Sequence, residues 1–239
     1  MGYWKSLLPP LVWEPLNEVR RDYFPDRRCS YSGEGEDLIL AKIFGDASHG
    51  FYIDVGCYHP KINSNTYSFY RRGWNGVNID ANPESIRKFN AFRPRDKNIN
   101  VGISSEPGEL PYYMFNEPAI NTFSKDLYET RLKIPWVTFS GISMVQTKPL
   151  RDVLDSIPLP AEIDLLDVDV EGFDLDVLRS NDWNRFLPKV VMVEEQNTSA
   201  TSFEDLETFK YLVPRGYALV AKTYSTVIFA RTEFLKKII

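Results

Sequence analysis

The chain has 239 residues, enough for one α/β domain with an ample core. Hydrophobic residues at 43% and charged residues at 26% are ordinary for a globular protein, and a net charge of −5 argues against a broad nucleic-acid surface, which is normally basic. Two cysteines, Cys29 and Cys57, do not make a disulfide framework, and no apolar run approaches the length of a membrane span.

Residues 1–30 are rich in proline and aromatics (Trp4, Trp13, Tyr23, Phe24) and read as an appendage that packs on the domain or on a second subunit. The stretch Leu7 to Trp13 is broken by prolines and lacks a basic leader, so the expected location is cytoplasmic. The domain proper is expected over 31–239. Ser32 to Phe44 has helix grammar, with Ser32 as cap and Leu38, Ile39, Ile43 and Phe44 as the apolar stripe. Phe51 to Val55 reads as a strand followed by a tight turn at Gly56. A helix from about Ser64 to Arg72 stops at Gly73. Val77 to Asp80 is the second strand, Pro83 to Ala91 a helix, and Asn98 to Ile103 a short third strand.

Between 104 and 149 the alternation breaks. Leu110 to Phe115 and Ser143 to Lys148 read as strands around a polar and aromatic segment, expected to be an insertion near the cleft that recognises substrate. The alternation then resumes with a helix over Leu150 to Ser156, a strand over Ile163 to Asp169, a helix over Phe173 to Ser180 and a strand over Lys189 to Glu194. A helix over Phe203 to Val213 follows, then two close strands at Tyr217 to Lys222 and Thr226 to Ala230, expected to pair antiparallel at the sheet edge. Such a sequence predicts an α/β, doubly wound, Rossmann-like sheet with helices on both faces.

In such sheets, ligands bind outside the carboxyl ends of neighbouring parallel strands. Asp54 and Gly56 close the first strand and Asp80 closes the second, so Asp80 is placed to accept hydrogen bonds from both ribose hydroxyls. The three-glycine dinucleotide turn and the P-loop are both missing, since Tyr58-His-Pro-Lys61 follows Gly56. One glycine between carboxylates suits a nucleoside cofactor without phosphates, and S-adenosylmethionine is a cation of that kind. The expected cofactor contacts are Asp54, Gly56, Cys57, Tyr58, Asp80, Ala81, Asn82, Gly102, Ile103 and Asp169. Asp169, Glu171 and Glu195 are the candidate catalytic carboxylates. For Asp169 and Glu171, capping of the following helix is the competing role. Asp169, Glu194 and Glu195 together offer oxygen ligands to Mg²⁺, although strand-end carboxylates also occur without metal. His49 and His59 are too few for a zinc site, and His59 is expected beside the cofactor turn rather than as a base.

Four blocks carry a family resemblance: Phe51-Tyr-Ile-Asp-Val-Gly56; Ser64-Asn-Thr-Tyr67 with Gly73-Trp-Asn-Gly-Val-Asn-Ile-Asp-Ala-Asn-Pro83; Leu165-Leu-Asp-Val-Asp-Val-Glu-Gly172; and Val190-Val-Met-Val-Glu-Glu195. Over roughly residues 30 to 230 the chain resembles the FkbM-family S-adenosylmethionine-dependent methyltransferases. The resemblance implies the class I methyltransferase sheet of seven strands, the last one antiparallel, and O-methylation of a hydroxyl, most naturally of a sugar in a glycan, glycolipid or natural-product precursor. Carboxyl or nitrogen methylation of a small metabolite, or a non-catalytic nucleotide-binding module, are the alternatives. The chain departs from the family at His59-Pro60, where a second glycine is common, and at Asp167, where a lysine is common. The N-terminal aromatics are compatible with self-association and equally with simple packing.

Overall fold

The computed structural model describes residues 30–195 and 202–238. The expected N-terminal appendage lies outside the described residues, apart from Ser30. In chain order the domain runs α1 (Glu36–Phe44), β1 (Phe51–Val55), α2 (Tyr67–Arg72), β2 (Asn75–Asp80), α3 (Pro83–Phe92), β3 (Lys97–Asn100), β4 (Gly102–Ile103) and β5 (Gly108–Phe115). There follow α4 (Lys125–Arg131), β6 (Phe139–Lys148), α5 (Leu150–Asp155), β7 (Leu165–Val168), α6 (Asp174–Ser180), β8 (Val190–Glu194), α7 (Glu207–Leu212), β9 (Tyr217–Lys222), β10 (Thr226–Arg231) and α8 (Thr232–Ile238).

The main sheet has seven strands in the order β3-β2-β1-β7-β8-β10-β9. Every pair from β3 to β8 is parallel, and β10 enters antiparallel to both β8 and β9. The order reverses between β1 and β7, which opens a crevice at their carboxyl ends. The period-two alternation of each strand explains the two cores. Ile53, Val55, Leu166, Val168, Val191 and Val193 face α5, α6 and α7. Tyr52, Leu165, Val190 and Met192 face α1, α2 and α8. Fully burying each such aliphatic side chain contributes roughly 1.5–3 kcal/mol, so these two faces are the main stabilising term.

Several boundaries differ from the sequence reading. Gly35 rather than Ser32 occupies the N-cap position of α1, while the Ser32 hydroxyl, from upstream, donates to the Asp37 carboxylate at 3.0 Å and accepts the first-turn amide of Asp37 at 3.2 Å. The third strand is two strands. Val101 donates its amide to the Asp80 carbonyl at 3.1 Å, after which Gly102–Ile103 leaves the main sheet and pairs with β6. The segment after β4 forms a second sheet, β4-β6-β5, with α4 and a short 3₁₀ turn at Pro118–Ile120 in the long β5–β6 connection. The helix expected over Phe203 to Val213 is a 3₁₀ turn (Phe203–Asp205), α7 and a second 3₁₀ turn (Val213–Arg215).

Candidate active site

At the crevice, three parallel strands end side by side. Gly56 donates its amide to the Ile79 carbonyl at 2.8 Å, and Asp169 donates to Val55 at 2.9 Å, so the three strand ends are tied together at one point. Gly56 lies in the left-handed region at φ 86°, and a β-carbon on it would fall 1.7 Å from the Asp169 carbonyl oxygen. Only glycine lets the turn pass this close to β7.

The turn opens onto a cleft. Its floor comes from Gly56, Tyr58, Asp80, Ala81, Gly102, Ile103, Asp169 and Glu171, and its other wall from Tyr112, Pro118, Ala119, Asn121 and Phe123 of the insertion. Among the described residues, the lining carries three carboxylates and no lysine, arginine or histidine. It therefore repels phosphates and accepts a neutral or cationic ligand. Asp80 is almost buried, and each of its oxygens accepts one backbone amide, from Asn82 at 2.7 Å and from Tyr58 at 2.8 Å. The Ser85 side chain is a third donor, and the carboxylate's remaining acceptor capacity is left for a ligand diol to share. Burial pushes the Asp80 carboxyl up to about 6, against the amide and Ser85 hydrogen bonds that favour its charge.

Three expected cofactor residues are not among those that line the cleft. Asp54 accepts the Thr66 hydroxyl at 2.6 Å and lies in register with Asp167 of β7. Cys57 packs its thiol against Ile86 and Phe89 of α3, and burial pushes it well above its ordinary range. Asn82 caps α3, accepting the Glu84 amide at 3.0 Å. His59 uses Nδ1 to accept the amides of Lys61 and Ile62, both at 3.1 Å, in its own loop.

At the end of β7, Asp169, Glu171 and Glu194 each bring an oxygen within 4.8 Å of the others. Glu195 is not part of this group, a correction to the expected trio. Consecutive residues of an extended chain point to opposite faces, and Glu195 instead accepts the Thr208 hydroxyl of α7 at 2.7 Å. Desolvation raises the Asp169 carboxyl well above its ordinary range, and the like charges of Glu194, Glu171, Asp174 and Asp167 raise it further. The side chain is exposed to the cleft, which weakens desolvation and leaves charge repulsion as the durable cause. Glu171 sits at φ 56° and pairs with Arg131 of α4, while its carbonyl accepts the Thr122 hydroxyl at 2.7 Å. A guanidinium on one of three oxygen donors opposes a divalent ion there, so the trio fits Mg²⁺ poorly.

The sequence marks Asn121-Thr-Phe-Ser124 as part of the insertion near the cleft but does not assign Asn121, Phe123 or Tyr112 to the cofactor wall, and it does not point to Arg131. Arg131 bonds the Ile120 carbonyl at 2.6 Å and so latches the insertion to the Glu171 turn. The signal for α4 was present in Ser124, whose hydroxyl accepts the Leu127 amide at 3.3 Å, with Asp126 in the first turn. Replacing Arg131 by Met is expected to destabilise the protein by roughly 3 kcal/mol, because it strands a largely buried carboxylate. Adding Glu171→Gln is expected to recover most of that loss; urea unfolding of both variants checks it.

A mixed seven-stranded sheet with this order and a ligand cleft at its switch point defines the class I methyltransferase architecture. The model of the methyltransferase FkbM domain matches residues 54–219, and the chain belongs to that family. No curated protein matches the chain. Solved structures similar to it include a methyltransferase FkbM from Methylobacillus flagellatus, 12% identical with a TM-score of 0.47 over 87% of this chain and 46% of that one. A methyltransferase from Geobacter sulfurreducens is 16% identical with a TM-score of 0.41, covering 96% of this chain and 93% of its own. A TehB-like SAM-dependent methyltransferase from Corynebacterium glutamicum is 12% identical, again at 0.41, covering 94% and 100%. The chain thus spans under half the length of the first of these structures.

Proposed function

We propose that this protein is an S-adenosylmethionine-dependent O-methyltransferase that acts on a hydroxyl, most naturally of a sugar in a glycan, glycolipid or natural-product precursor. The observation that carries the reading is the cleft at the ends of β1, β2 and β7, lined by Asp80, Asp169 and Glu171 with no basic side chain among the described residues. That lining suits a cationic nucleoside and disfavours NAD or ATP. The acceptor class rests on the family resemblance.

When bound, the cofactor supplies an electrophilic methyl group on a sulfonium. The chain's residues do the remaining work. Gly56 allows backbone to approach the ligand closely, Asp80 receives the ribose hydroxyls, and Gly102–Ile103 flank the adenine. Phe123, Tyr112 and Pro118 exclude water from the other side. Asp169 takes the acceptor proton as the oxygen attacks, its proton affinity raised by burial and by the like charges of Glu194 and Glu171. Glu171, oriented by Arg131, positions the acceptor. We also propose that the insertion recognises the acceptor at the cleft mouth, beyond the wall it gives the cofactor. No step is routed through a metal, and activity is expected to survive exhaustive chelation.

Among the described residues no helix is long and apolar enough to cross a membrane. Calorimetry with S-adenosylhomocysteine, NAD and ATP tests the cofactor: binding of the first alone supports the reading, and binding of either of the others alone overturns it. Incubating cell extracts with labelled methyl donor then identifies the acceptor. NMR of the purified labelled product locates the methyl: a methyl ether supports O-methylation of a hydroxyl, whereas a methyl ester or an N-methyl group refutes it.

A further inference from the structure

Arg93 follows α3 directly and is completely buried. Its Nε and Nη2 donate to the Pro60 carbonyl at 2.9 and 2.7 Å, Nη2 also to the Ser64 hydroxyl at 2.6 Å, and Nη1 to the Thr66 hydroxyl at 2.8 Å. Thr66 passes the contact on by donating to Asp54 at 2.6 Å. The guanidinium lies 4.8 Å from the centre of Phe89, the residue packed with Cys57 beneath the glycine turn, and 5.4 and 5.5 Å from Tyr67 and Tyr70. A cation so far from water is costly, and a role limited to filling space would be met by an apolar side chain.

Two features say what the cation is for. The loop it grips holds Asn63 at φ 49°, and Tyr58, just before that loop, sits at φ 44°, a strained value for a bulky side chain. Such strain persists only where the surroundings over-determine it. Second, Asp54 is crowded by carboxylates: Asp167 beside it on β7, Asp96 beyond α3, Asp80 at the end of β2, and Glu36 of α1 behind Asp167. The hydroxyls of Tyr52 and Thr66 and the amide of Asn65 complete the surroundings, and Arg93 supplies the positive charge.

We propose that Arg93 is a positioning residue for the cofactor site: it clamps the loop from Pro60 to Thr66 and, through Thr66, fixes the orientation and charge of Asp54 under the Gly56 turn. The inference rests on the S-adenosylmethionine reading.

The test is S-adenosylhomocysteine affinity of the full chain, measured by calorimetry from roughly pH 5 to pH 8 for the wild type, Arg93→Lys, Arg93→Met and Thr66→Val. Arg93→Lys keeps the charge but loses the fork, and is expected to bind about ten-fold more weakly with the wild-type pH midpoint. Arg93→Met is expected to bind about 30-fold or more weakly, with the midpoint raised by about one pH unit, because Asp54 loses its counter-charge. Thr66→Val, which leaves Arg93 in place, is expected to raise the midpoint in the same direction and carries the test should Arg93→Met fail to fold. Weakened affinity with an unmoved midpoint in Thr66→Val and in any folded Arg93→Met overturns the proposal. Failure of the wild type itself to bind refutes the cofactor reading instead.

Discussion

Replacing Gly56 by Ala is expected to destabilise the protein by roughly 4 kcal/mol or more and to abolish binding of S-adenosylhomocysteine. Two costs combine at this position. The left-handed backbone at φ 86° penalises any residue with a β-carbon, by about 1–2 kcal/mol. The second cost is a collision of the β-carbon with the Asp169 carbonyl oxygen at 1.7 Å, which is backbone and cannot rotate away. Relief requires β1 and β7 to separate at the point where the cleft begins. Gly35 is the internal control, because it shares the φ of 86° and has nothing within 4 Å of its would-be β-carbon. Gly35→Ala should therefore show the conformational cost alone, near 1 kcal/mol, with binding intact. Thermal unfolding and calorimetry on the two variants separate strain from collision. Equal losses would mean that the tight crossing of Gly56 over Asp169 does not govern the site.

The sheet was legible because its signals are local. β1, β2, β7 and β8 are short apolar runs bounded by turn residues, and Gly56 and Asp80 mark where two of them end. The site was legible only where a strand end delivers a side chain directly to the cleft, as at Asp80 and Asp169. Asp54 and Asp80 look equivalent in sequence, each within two residues of a strand's end. They part company because Thr66, remote from β1's end, captures the Asp54 carboxylate away from the cleft, while Asp80 is held by the Tyr58 and Asn82 amides and the Ser85 side chain and still lines the cleft. Glu194 and Glu195 were indistinguishable until the chain direction past β8 was fixed. The insertion was found as a break in alternation, yet its contribution of Tyr112, Asn121 and Phe123 to the cofactor wall depends on pairing between β4 and β6 that spans some 45 positions. No local pattern reports such a contact. Arg93 was invisible for the same reason, since an arginine before a proline reads as a solvated helix end.

Asp80→Ala is expected to weaken binding of S-adenosylhomocysteine about 100-fold, the size of losing charge-assisted hydrogen bonds to a ribose diol in a buried setting. The variant also leaves the Tyr58 and Asn82 amides without an acceptor, so melting should fall as well. The pH dependence separates the two effects. Burial pushes the carboxyls of Asp54 and Asp80 up to about 6, from 3.8 in the unfolded chain. For an acid raised on folding, the folded state holds its proton longer than the unfolded one. Stability of the unliganded protein is thus highest below about pH 4 as far as these two groups decide it, and falls as pH climbs through 6, by up to roughly 3 kcal/mol for each group. Ligand binding has the opposite sign, because the diol is best received by ionised Asp80, so affinity is expected to drop as pH falls below about 6. In Asp80→Ala the apo protein should lose part of the first trend, and the affinity should keep only the shallower dependence contributed by Asp54. Wild-type affinity that stays level from pH 7 to pH 5 would remove Asp80 from the ribose contact, whatever the variant does to stability.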